Sequence, residues 1–226
     1  MTSFEPSETP ETNAAAPSAT PSAKYRNEIF RKLLHMCSFL IVIFIYLSPR
    51  QTTLIVLLLL FLTVFISNFL ILKFPPLNNI KIKYFSFLLR DGEKNGYISS
   101  NWFLLGCFLS VLLFSQHTAM LGISILIFSD AFAALVGMRY GRHKFKNGKS
   151  LEGALAFIAV ACLFTAGFYI VLKTGAAFTA AALLSIPLVA VIEIYSKKIK
   201  IDDNLTIPIS FGLFMMVFMF FAELFL

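Results

Sequence analysis

Long apolar runs alternate with short polar and basic segments along most of the chain. The apolar runs predict seven membrane-spanning helices, at residues 33–48, 53–72, 98–115, 118–138, 153–172, 176–195 and 205–226. These lengths approach the roughly 20 residues with which an α-helix crosses about 30 Å of hydrocarbon. Because lipid offers no hydrogen bonds to an open backbone, the pattern predicts an all-α, polytopic integral membrane protein with about seven transmembrane helices.

The composition excludes a soluble domain of this length. Hydrophobic residues make up 58% of the 226 residues and charged residues only 14%, with a mean hydropathy of +0.81. The 26 phenylalanines fit positions that face lipid. Cys37, Cys107 and Cys162 lie singly in separate apolar runs, which excludes a clustered zinc site and predicts buried structural thiols without disulfides.

The first 24 residues have a different composition from the rest, being largely Pro, Ser, Thr, Ala and Glu. Such a segment cannot bury enough apolar surface to fold, so residues 1–24 are predicted to form a disordered cytoplasmic tail. Residues 25–226 are predicted to form one multi-helix transmembrane domain. No basic start with a following apolar run lies near Met1, so a cleaved signal peptide is not expected.

The positive charges fall on one side of this predicted topology. All of the 19 Lys and Arg residues except Arg50 and Lys173 lie in the N-terminal segment or in the loops joining helices two to three, four to five and six to seven. Because cytoplasmic loops carry the excess of Lys and Arg, the distribution predicts a cytoplasmic N-terminus and an outside C-terminus. The net charge of +7 is thus a topological signal that also favours anionic headgroups or an anionic substrate, with no nucleic acid as partner.

The loop between the second and third predicted helices is long and rich in aromatic residues. Pro75 and Pro76 are expected to end the second helix, because proline has no amide proton to donate. Residues 80–89 are both basic and apolar, which is typical of a segment lying in the membrane interface. Membrane anchoring is therefore the expected role of this loop.

Asp130 lies inside the fourth predicted helix, roughly 12 Å below its cytoplasmic end at a rise of about 1.5 Å per residue. A carboxylate near the bilayer centre costs roughly 2.5–3.5 kcal/mol on insertion scales, so such residues usually have a function. The alternatives are a structural hydrogen bond and an aspartate neutralised by burial. Ala134, Gly137 and Gly141 share one helical stripe with Asp130, and this stripe could allow close helix packing or leave room for a ligand. The aspartate at its end favours a site.

Other polar residues gather on the same predicted side, although they are far apart in sequence. They are Arg31, Lys32 and His35 at the first helix, Lys149, Ser150 and Glu152 at the fifth, Glu193 in the sixth, and Asp202, Asp203 and Asn204 before the seventh. Each alone has a structural explanation, as a charged anchor, a snorkelling side chain or a helix cap. Together they predict a functional site along the cytoplasmic rim.

Gly148-Lys149-Ser150 matches the end of a phosphate-binding P-loop, but the rest of that motif is missing. Position 143 is a histidine where the motif needs glycine, and an apolar run stands where it needs a strand. A phosphate could still be held here, because Ser150 stands at a predicted helix N-terminus, Lys149 adds a charge, and Gly148 and Gly153 allow close approach. Nearby carboxylates would hold Mg²⁺, the usual partner of polyphosphates.

Four motifs in this order resemble the group of polytopic lipid-alcohol kinases that contains dolichol kinase, phytol kinase and CTP-dependent diacylglycerol kinase. They are RKLLH at Arg31–His35, SDAFAALVGMRYGR at Ser129–Arg142, GKSLEG at Gly148–Gly153 and DDNLTIP at Asp202–Pro208. The resemblance covers nearly all of the chain after the tail. It implies that residues 25–226 form a lipid kinase domain, which moves the γ-phosphoryl group of a nucleoside triphosphate, typically CTP, to the hydroxyl of a membrane lipid.

The resemblance also implies roles for particular residues. Essential roles fall on Arg31, Lys32, Asp130 and Gly137, supporting roles on Lys149, Ser150 and Glu152, and further roles on Asp203 and Asn204. We expect Lys149, Arg31 and Lys32 to act with Asp130 as catalytic residues, and His35, Gly137, Gly148, Ser150, Glu152 and Asn204 to bind nucleotide or substrate. Asp130 would bind Mg²⁺ or accept the proton of the lipid hydroxyl, and Glu152 and Asp203 are further candidate metal ligands.

The lipid alcohol could be a polyprenol such as dolichol, a diacylglycerol or phytol, and it would reach the cytoplasmic site sideways from the inner leaflet. Two other functions are considered. A phosphatidate cytidylyltransferase would use similar groups to make CDP-lipid and would release pyrophosphate. A transporter or scaffold would show no nucleotide dependence and is expected to place polar groups at mid-bilayer rather than along one rim.

Overall fold

The computed structural model describes the backbone of residues 21–199 and 201–225. Most of the predicted tail lies outside the described residues, and the first helix begins at Pro21, within the last four residues assigned to that tail. The helices are α1 (Pro21–Cys37), α2 (Phe39–Leu47), α3 (Arg50–Lys73), α4 (Pro75–Phe85), α5 (Ser99–Leu113), α6 (Gln116–Ser124), α7 (Asp130–Tyr140), α8 (Leu151–Val171), α9 (Ala176–Ile199) and α10 (Asp203–Phe225).

The all-α prediction is confirmed. Within residues 21–199 and 201–225, the only β-type pairing is a single bridge between Lys144 and Ser150. A short 3₁₀ turn at Asp91–Glu93 and a π-helical segment at Ile125–Ser129 are the other helical elements. The three cysteines form no disulfide, as predicted, but only Cys107 is buried; Cys162 is half-buried and Cys37 is exposed, so the prediction of a buried thiol is wrong for Cys37.

Each predicted span coincides with a helix, although not all are equally long. Six are long and apolar enough to cross a membrane: Tyr25–Leu47, Arg50–Lys73, Gln116–Tyr140, Leu151–Val171, Ala176–Ser196 and Asp203–Ala222. The third predicted span is the apolar but shorter helix α5, of 15 residues. The number of helices that cross the membrane and the side of the N-terminus stay predictions.

Two breaks in the helices have clear local causes. Pro75 and Pro76 end α3 as predicted, because Phe74 closes α3 with its amide on the Leu70 carbonyl and Pro75 starts α4 at a position where no amide donor is needed. The first predicted span is bent at Ser38, where α1 stops and α2 begins. The break at the two prolines brings the chain back over the end of α3 as helix α4, which packs against it.

The centre of the bundle is the continuous segment formed by α6, the π-helical turn and α7. In the most apolar 18-residue stretch of this segment, 72% of the residues are buried; in the corresponding stretch of α3, at the periphery, 11% are buried. Helices α8 and α10 pack against this segment, and α9 packs against both. A π-helical turn inserts an extra residue into the hydrogen-bond ladder and is frequent at functional sites. Here it ends directly before Asp130.

Candidate active site

Lys32 and Asp130 form a buried ion pair. The Lys32 ammonium donates a hydrogen bond to Asp130 Oδ2, and it joins α1 to the start of α7 across 98 positions of sequence. The two residues are only 6% and 8% exposed. Buried charges of this kind are stable only when they are paired, so each residue fixes the position of the other. The two motifs that carry the strongest sequence signals therefore meet in space, as expected.

Lys149 forms a second cluster with residues of α9 and α10. Its Nζ lies 2.5 Å from Glu193 Oε1 and 2.6 Å from the Glu193 carbonyl oxygen. The same Nζ lies 3.1 Å from Asp203 Oδ2 and 3.3 Å from Ser196 Oγ. Burial by itself would lower the pKa of Lys149, but the charges of Asp203 and Glu193 raise it above its ordinary value. Lys149 is therefore a fixed positive charge in this cluster.

A tight turn before α8 directs Lys149 inward. Gly148 has a φ of +83°, which glycine adopts without the strain that a side chain would bring. The turn is closed by the Phe145 amide on the Lys149 carbonyl at 2.8 Å and by the Gly148 amide on the Phe145 carbonyl at 2.9 Å. Asn147 Oδ1 also accepts the Lys149 amide at 3.1 Å. The positive φ of this turn therefore explains why a glycine occupies position 148.

The acidic residues of the two clusters lie close to one another. One carboxylate oxygen each from Asp130, Glu193 and Asp203 lie within 4.8 Å of one another. Three converging carboxylates are the oxygen-rich donor set that Mg²⁺ prefers, so the residues present fit this ion. Lys32, paired with Asp130, and Lys149, paired with Glu193 and Asp203, balance the negative charge. The fold therefore builds a compact charged centre inside an apolar bundle.

A cavity of about 660 Å³ reaches this centre. Its polar part is lined by Arg31, Lys32, His35, Arg90, Glu93, Asp130, Asp203 and Asn204. Its apolar part is lined by side chains of α3, α4 and the following loop, including Val64, Ile71, Leu77, Ile80, Phe85, Leu88 and Leu89. A cavity with a charged end and an apolar wall suits a ligand with a polar head and a hydrocarbon chain.

The loop after α4 supplies groups that the sequence pattern assigned only to membrane anchoring. Arg90 lines the cavity and lies 3.6 Å from Glu28 Oε1, and Arg31 lies 3.0 Å from Glu28 Oε2, so one carboxylate holds two arginines. Burial would lower the pKa of Arg90, but the carboxylates around it, Glu28 foremost, raise it. Glu93 holds the loop in place by accepting the amides of Arg90 and Ser99 at 2.8 and 2.9 Å.

Ser150 and Glu152 have local partners instead. Ser150 is the N-cap of α8, as predicted, and its hydroxyl accepts the Gly153 amide at 3.1 Å. Glu152 Oε1 accepts the His143 amide at 3.1 Å and lies 2.8 Å from His143 Nδ1. None of the described residues 148–152 lines the cavity, and Glu152 is not in the carboxylate group. The ligand-binding roles predicted for Gly148, Ser150 and Glu152, and a metal role for Glu152, stay predictions without a supporting contact.

Gly137 lies in the contact between α7 and α8. A Cβ at this position would lie 2.9 Å from Ser150 Oγ and 3.7 Å from Gly153 Cα. Gly141 also lies against Ser150, so the stripe of small residues on α7 is occupied by the start of α8. Close packing, which the sequence pattern allowed beside room for a ligand, is what these glycines provide. A role of Gly137 in binding substrate stays a prediction.

We expect Gly137→Ala to lower the free energy of unfolding by about 1–3 kcal/mol, because the added methyl group displaces the Ser150 hydroxyl from the helix cap. Thermal unfolding of the purified protein in detergent measures this. Gly167→Ala in α8 is the matched control, since no atom lies within 4 Å of the place that its added methyl group would take. A loss of stability in the Gly167 variant as large as in the Gly137 variant would contradict this explanation.

Asp202, Asp203 and Asn204, at the start of α10, have three different roles. Asp202 is the capping residue, and its Oδ1 accepts the amide of Asn204 at 3.0 Å and the Asn204 side chain at 2.7 Å. Asp203 is thereby free to reach Lys149, as its 3.1 Å contact shows. Asn204 lines the cavity, although its side-chain nitrogen is held by Asp202. The capping alternative therefore applies to Asp202, and Asp203 belongs to the charged centre.

His35 lines the cavity from α1. Its ring is edge-on to Phe103, with ring centroids 5.0 Å apart. Its buried Nε2 has no hydrogen-bond partner within the described chain. The sequence pattern placed Glu193 among the polar residues of the predicted site but gave it no role as a metal ligand, and it counted Arg90 only as one of the loop cations. An acid within an apolar helix was the available signal for Glu193, whereas no local pattern distinguishes Arg90.

No family model and no solved structure matches the chain. It is similar to the uncharacterized protein RP860 of Rickettsia prowazekii, with 34% identity over 196 residues that cover 83% of this chain and 93% of that protein. It is also similar to CTP-dependent diacylglycerol kinase 1 of Saccharomyces cerevisiae, with 28% identity over 212 residues covering 84% of this chain and 73% of that one. The enzyme of the same name in Schizosaccharomyces pombe is 24% identical over 161 residues, covering 66% and 73%. The chain therefore belongs to one family with RP860, and its similarity to the fungal enzymes supports the broad diacylglycerol/polyprenol kinase family.

Proposed function

We propose that the protein is a CTP-dependent lipid kinase, which phosphorylates the hydroxyl of a membrane lipid alcohol. The observation that carries the proposal is the charged centre of Asp130, Glu193, Asp203 and two lysines at one end of a cavity with an apolar wall. Phosphoryl transfer requires positioning and neutralisation of charge more than covalent chemistry, and this arrangement supplies both. Residues 25–226 form the kinase domain in this proposal.

CTP as the donor is supported by relatives named CTP-dependent diacylglycerol kinase in three fungi, at 24 to 30% identity. These names suggest an alcohol acceptor of the lipid class, and the apolar wall of the cavity suits one. The basic cytoplasmic loops of the predicted topology are consistent with a site that takes its nucleotide from the cytoplasm.

Mg²⁺ fits the three carboxylates, and we assign Asp130, Glu193 and Asp203 as the residues that would hold it. When bound, the ion neutralises charge on the transferring phosphates. Asp130 and Asp203 also line the cavity, so they link the ion site to the substrate site. This assignment makes Asp130 a metal ligand rather than the base, and it gives Glu193 the place that sequence reasoning gave to Glu152.

Arg31, Lys32 and Arg90 are three of the cations that line the cavity, and we assign them to the phosphates of CTP; a fourth, Lys81, donates to the Glu93 carbonyl at 3.1 Å. A planar guanidinium binds phosphate oxygens in pairs, so the two arginines suit orientation as well as charge. Their shared partner Glu28 fixes both side chains before the nucleotide binds. Lys149 does not line the cavity, and its role is to position Glu193 and Asp203.

In the reaction, the lipid hydroxyl oxygen forms a bond to the γ-phosphorus while the bond from that phosphorus to the β-phosphate oxygen breaks. The products are the lipid phosphate and CDP, and the hydroxyl proton is released to water. The lipid's hydrocarbon chain lies along α3 and α4, where the apolar wall keeps water from the phosphorus. This exclusion limits the competing hydrolysis of CTP.

Purified protein given CTP labelled separately at the α- and γ-phosphates tests the proposal. We expect γ-label to appear in lipid and α-label to remain in CDP, for at least one alcohol in a panel of diacylglycerol, polyprenol and phytol. ATP in place of CTP tests the donor. Transfer of α-label with release of pyrophosphate would instead identify a cytidylyltransferase, and no labelling of any lipid would refute enzyme activity on this class of substrate.

A further inference from the structure

Helix α3 carries a polar strip that neither the charged centre nor helix formation explains. Between residues 54 and 72 its only polar residues are Thr63, Ser67 and Asn68, in a run of otherwise apolar side chains. All three line the cavity, together with the apolar residues Val64 and Ile71 of the same face. The spacing i, i+1, i+4, i+5 and i+8 is one stripe of a helix. All three polar residues in the middle of this peripheral helix therefore face the cavity.

Asn68 is the buried member of this strip. It is 2% exposed, and both Nδ2 and Oδ1 lack a hydrogen-bond partner within the described chain. Thr63 is different, since its hydroxyl donates to the Leu59 carbonyl at 2.8 Å within the helix. An amide buried in an apolar helix bundle is unfavourable unless both its donor and its acceptor are paired. Unlike a buried amide away from the cavity, Asn68 borders a space in which a ligand can supply the missing partner.

The cavity connects Asn68 to the residues proposed to act on the lipid hydroxyl, because Asp130 and Asn68 line the same space. With the reacting hydroxyl at Asp130 and the hydrocarbon chain along α3, as the proposed function has them, the group facing Asn68 would belong to the part of the lipid next to its hydroxyl. A polyprenol or phytol carries only hydrocarbon there. A glyceride carries ester carbonyls a few bonds from the hydroxyl, and a carbonyl oxygen is an acceptor for the Asn68 amide.

We propose that Asn68 is a specificity-determining residue that donates a hydrogen bond to an ester carbonyl of the lipid, so that the acceptor is a diacylglycerol rather than a polyprenol. This inference rests on the proposed kinase function and selects among its substrates. A site built to hydrogen-bond a substrate group discriminates strongly against analogues that lack it, because its own polar group is then left unpaired. Ester-bearing glycerolipids are thus favoured and purely hydrocarbon alcohols disfavoured.

The test compares three lipids of similar chain length: a diacylglycerol, a dialkylglycerol in which ether links replace the esters, and a polyprenol. On the unmodified protein we expect kcat/KM for diacylglycerol to exceed that for dialkylglycerol by about 10-fold or more. The ether lipid keeps the glycerol hydroxyl and the chains and lacks only the carbonyls. Equal kcat/KM values for the two glycerolipids would overturn the proposal without any variant.

Asn68→Leu should lower kcat/KM for diacylglycerol by about 10-fold or more and leave dialkylglycerol nearly unchanged. Its melting temperature should not fall, because leucine of similar volume removes an unpaired buried amide. Asn101→Leu is the matched control: Asn101 is 4% exposed and also has both amide atoms unpaired, but it does not line the cavity. We expect this control to keep the lipid preference of the unmodified protein.

The outcomes distinguish a failure of this inference from a failure of the proposed kinase function. An equal loss with all three lipids in the Asn68 variant, or the same change of preference in the Asn101 control, overturns the role of Asn68 in selecting lipid. Preserved preference in a folded Asn68→Leu protein overturns it as well. If the unmodified protein labels no lipid from CTP, the proposed function itself fails and the inference fails with it.

Discussion

Asp130→Asn is expected to lower kcat for phosphoryl transfer by about 1,000-fold, the scale for losing one group that stabilises transition-state charge. An amide retains the shape of the carboxylate but not its charge, so the group formed with Glu193 and Asp203 loses one of three anionic donors. We also expect the variant to insert into the membrane, because asparagine costs less than aspartate within a span. Labelled CTP and a lipid alcohol measure turnover, and membrane fractionation measures insertion.

The variant has a structural effect that must be separated from the chemical one. Losing Asp130 leaves the Lys32 ammonium buried without its anion, and breaking such a pair costs about 3–5 kcal/mol. The double variant Asp130→Asn with Lys32→Met removes both charges, so it should recover most of the lost melting temperature while staying inactive. Normal turnover in the single variant would contradict the assignment of Asp130. Activity regained in the double variant would attribute the loss to folding instead.

Lys149→Met should destabilise the fold by about 3–5 kcal/mol in the absence of divalent cations. It removes the cation that lies 2.5 Å from Glu193 and 3.1 Å from Asp203, and the carboxylates of these residues and Asp130 then repel one another. If these carboxylates hold Mg²⁺, the ion should stabilise the variant more than the unmodified protein. Thermal unfolding in detergent, with Mg²⁺ or with chelator, measures the difference.

Lys146→Met is the control for this prediction, because Lys146 is an exposed lysine of the same loop. It should leave the free energy of unfolding within about 0.5 kcal/mol of that of the unmodified protein, the range of ordinary surface substitutions. A stabilisation by Mg²⁺ that is the same in the Lys149 variant, the Lys146 variant and the unmodified protein would speak against a metal site at the three carboxylates. Loss of activity in the Lys146 variant would show that the loop as a whole, and not Lys149, is needed.

Much of the fold could be predicted from local sequence. A run such as 54–72 has one stable form in lipid, because a helix is the only way for one segment to pair its own backbone there. Pro75 and Pro76 end α3 for an equally local reason. The sequence also identified Asp130 as an unusual charge within a span and predicted that it would meet the polar residues of the first helix, and its ion pair with Lys32 agrees with that expectation.

The parts that could not be predicted depend on which side chain faces which. Lys149 and Glu152 are three positions apart in one motif, yet Lys149 turns inward to Glu193 and Glu152 pairs with His143. A one-dimensional motif does not encode that choice, because it follows from the turn at Gly148 and the positions of α9 and α10. Arg90 and Asn68 escaped notice for a similar reason, since a loop cation and a lone amide gain meaning only from the cavity that both line.

The sequence by itself determined that the chain is a bundle of apolar helices and that Asp130 is an unusual residue within a span, and it predicts a topology with the positive charge on one side. Hydrophobicity and backbone pairing are local quantities, so a single pass along the residues contains them. The tertiary structure alone decided that Glu193 joins Asp130 and Asp203, and that α4 and its loop close the cavity. Those contacts are set by helix packing, which depends on the shapes of distant segments and on how buried charges find partners.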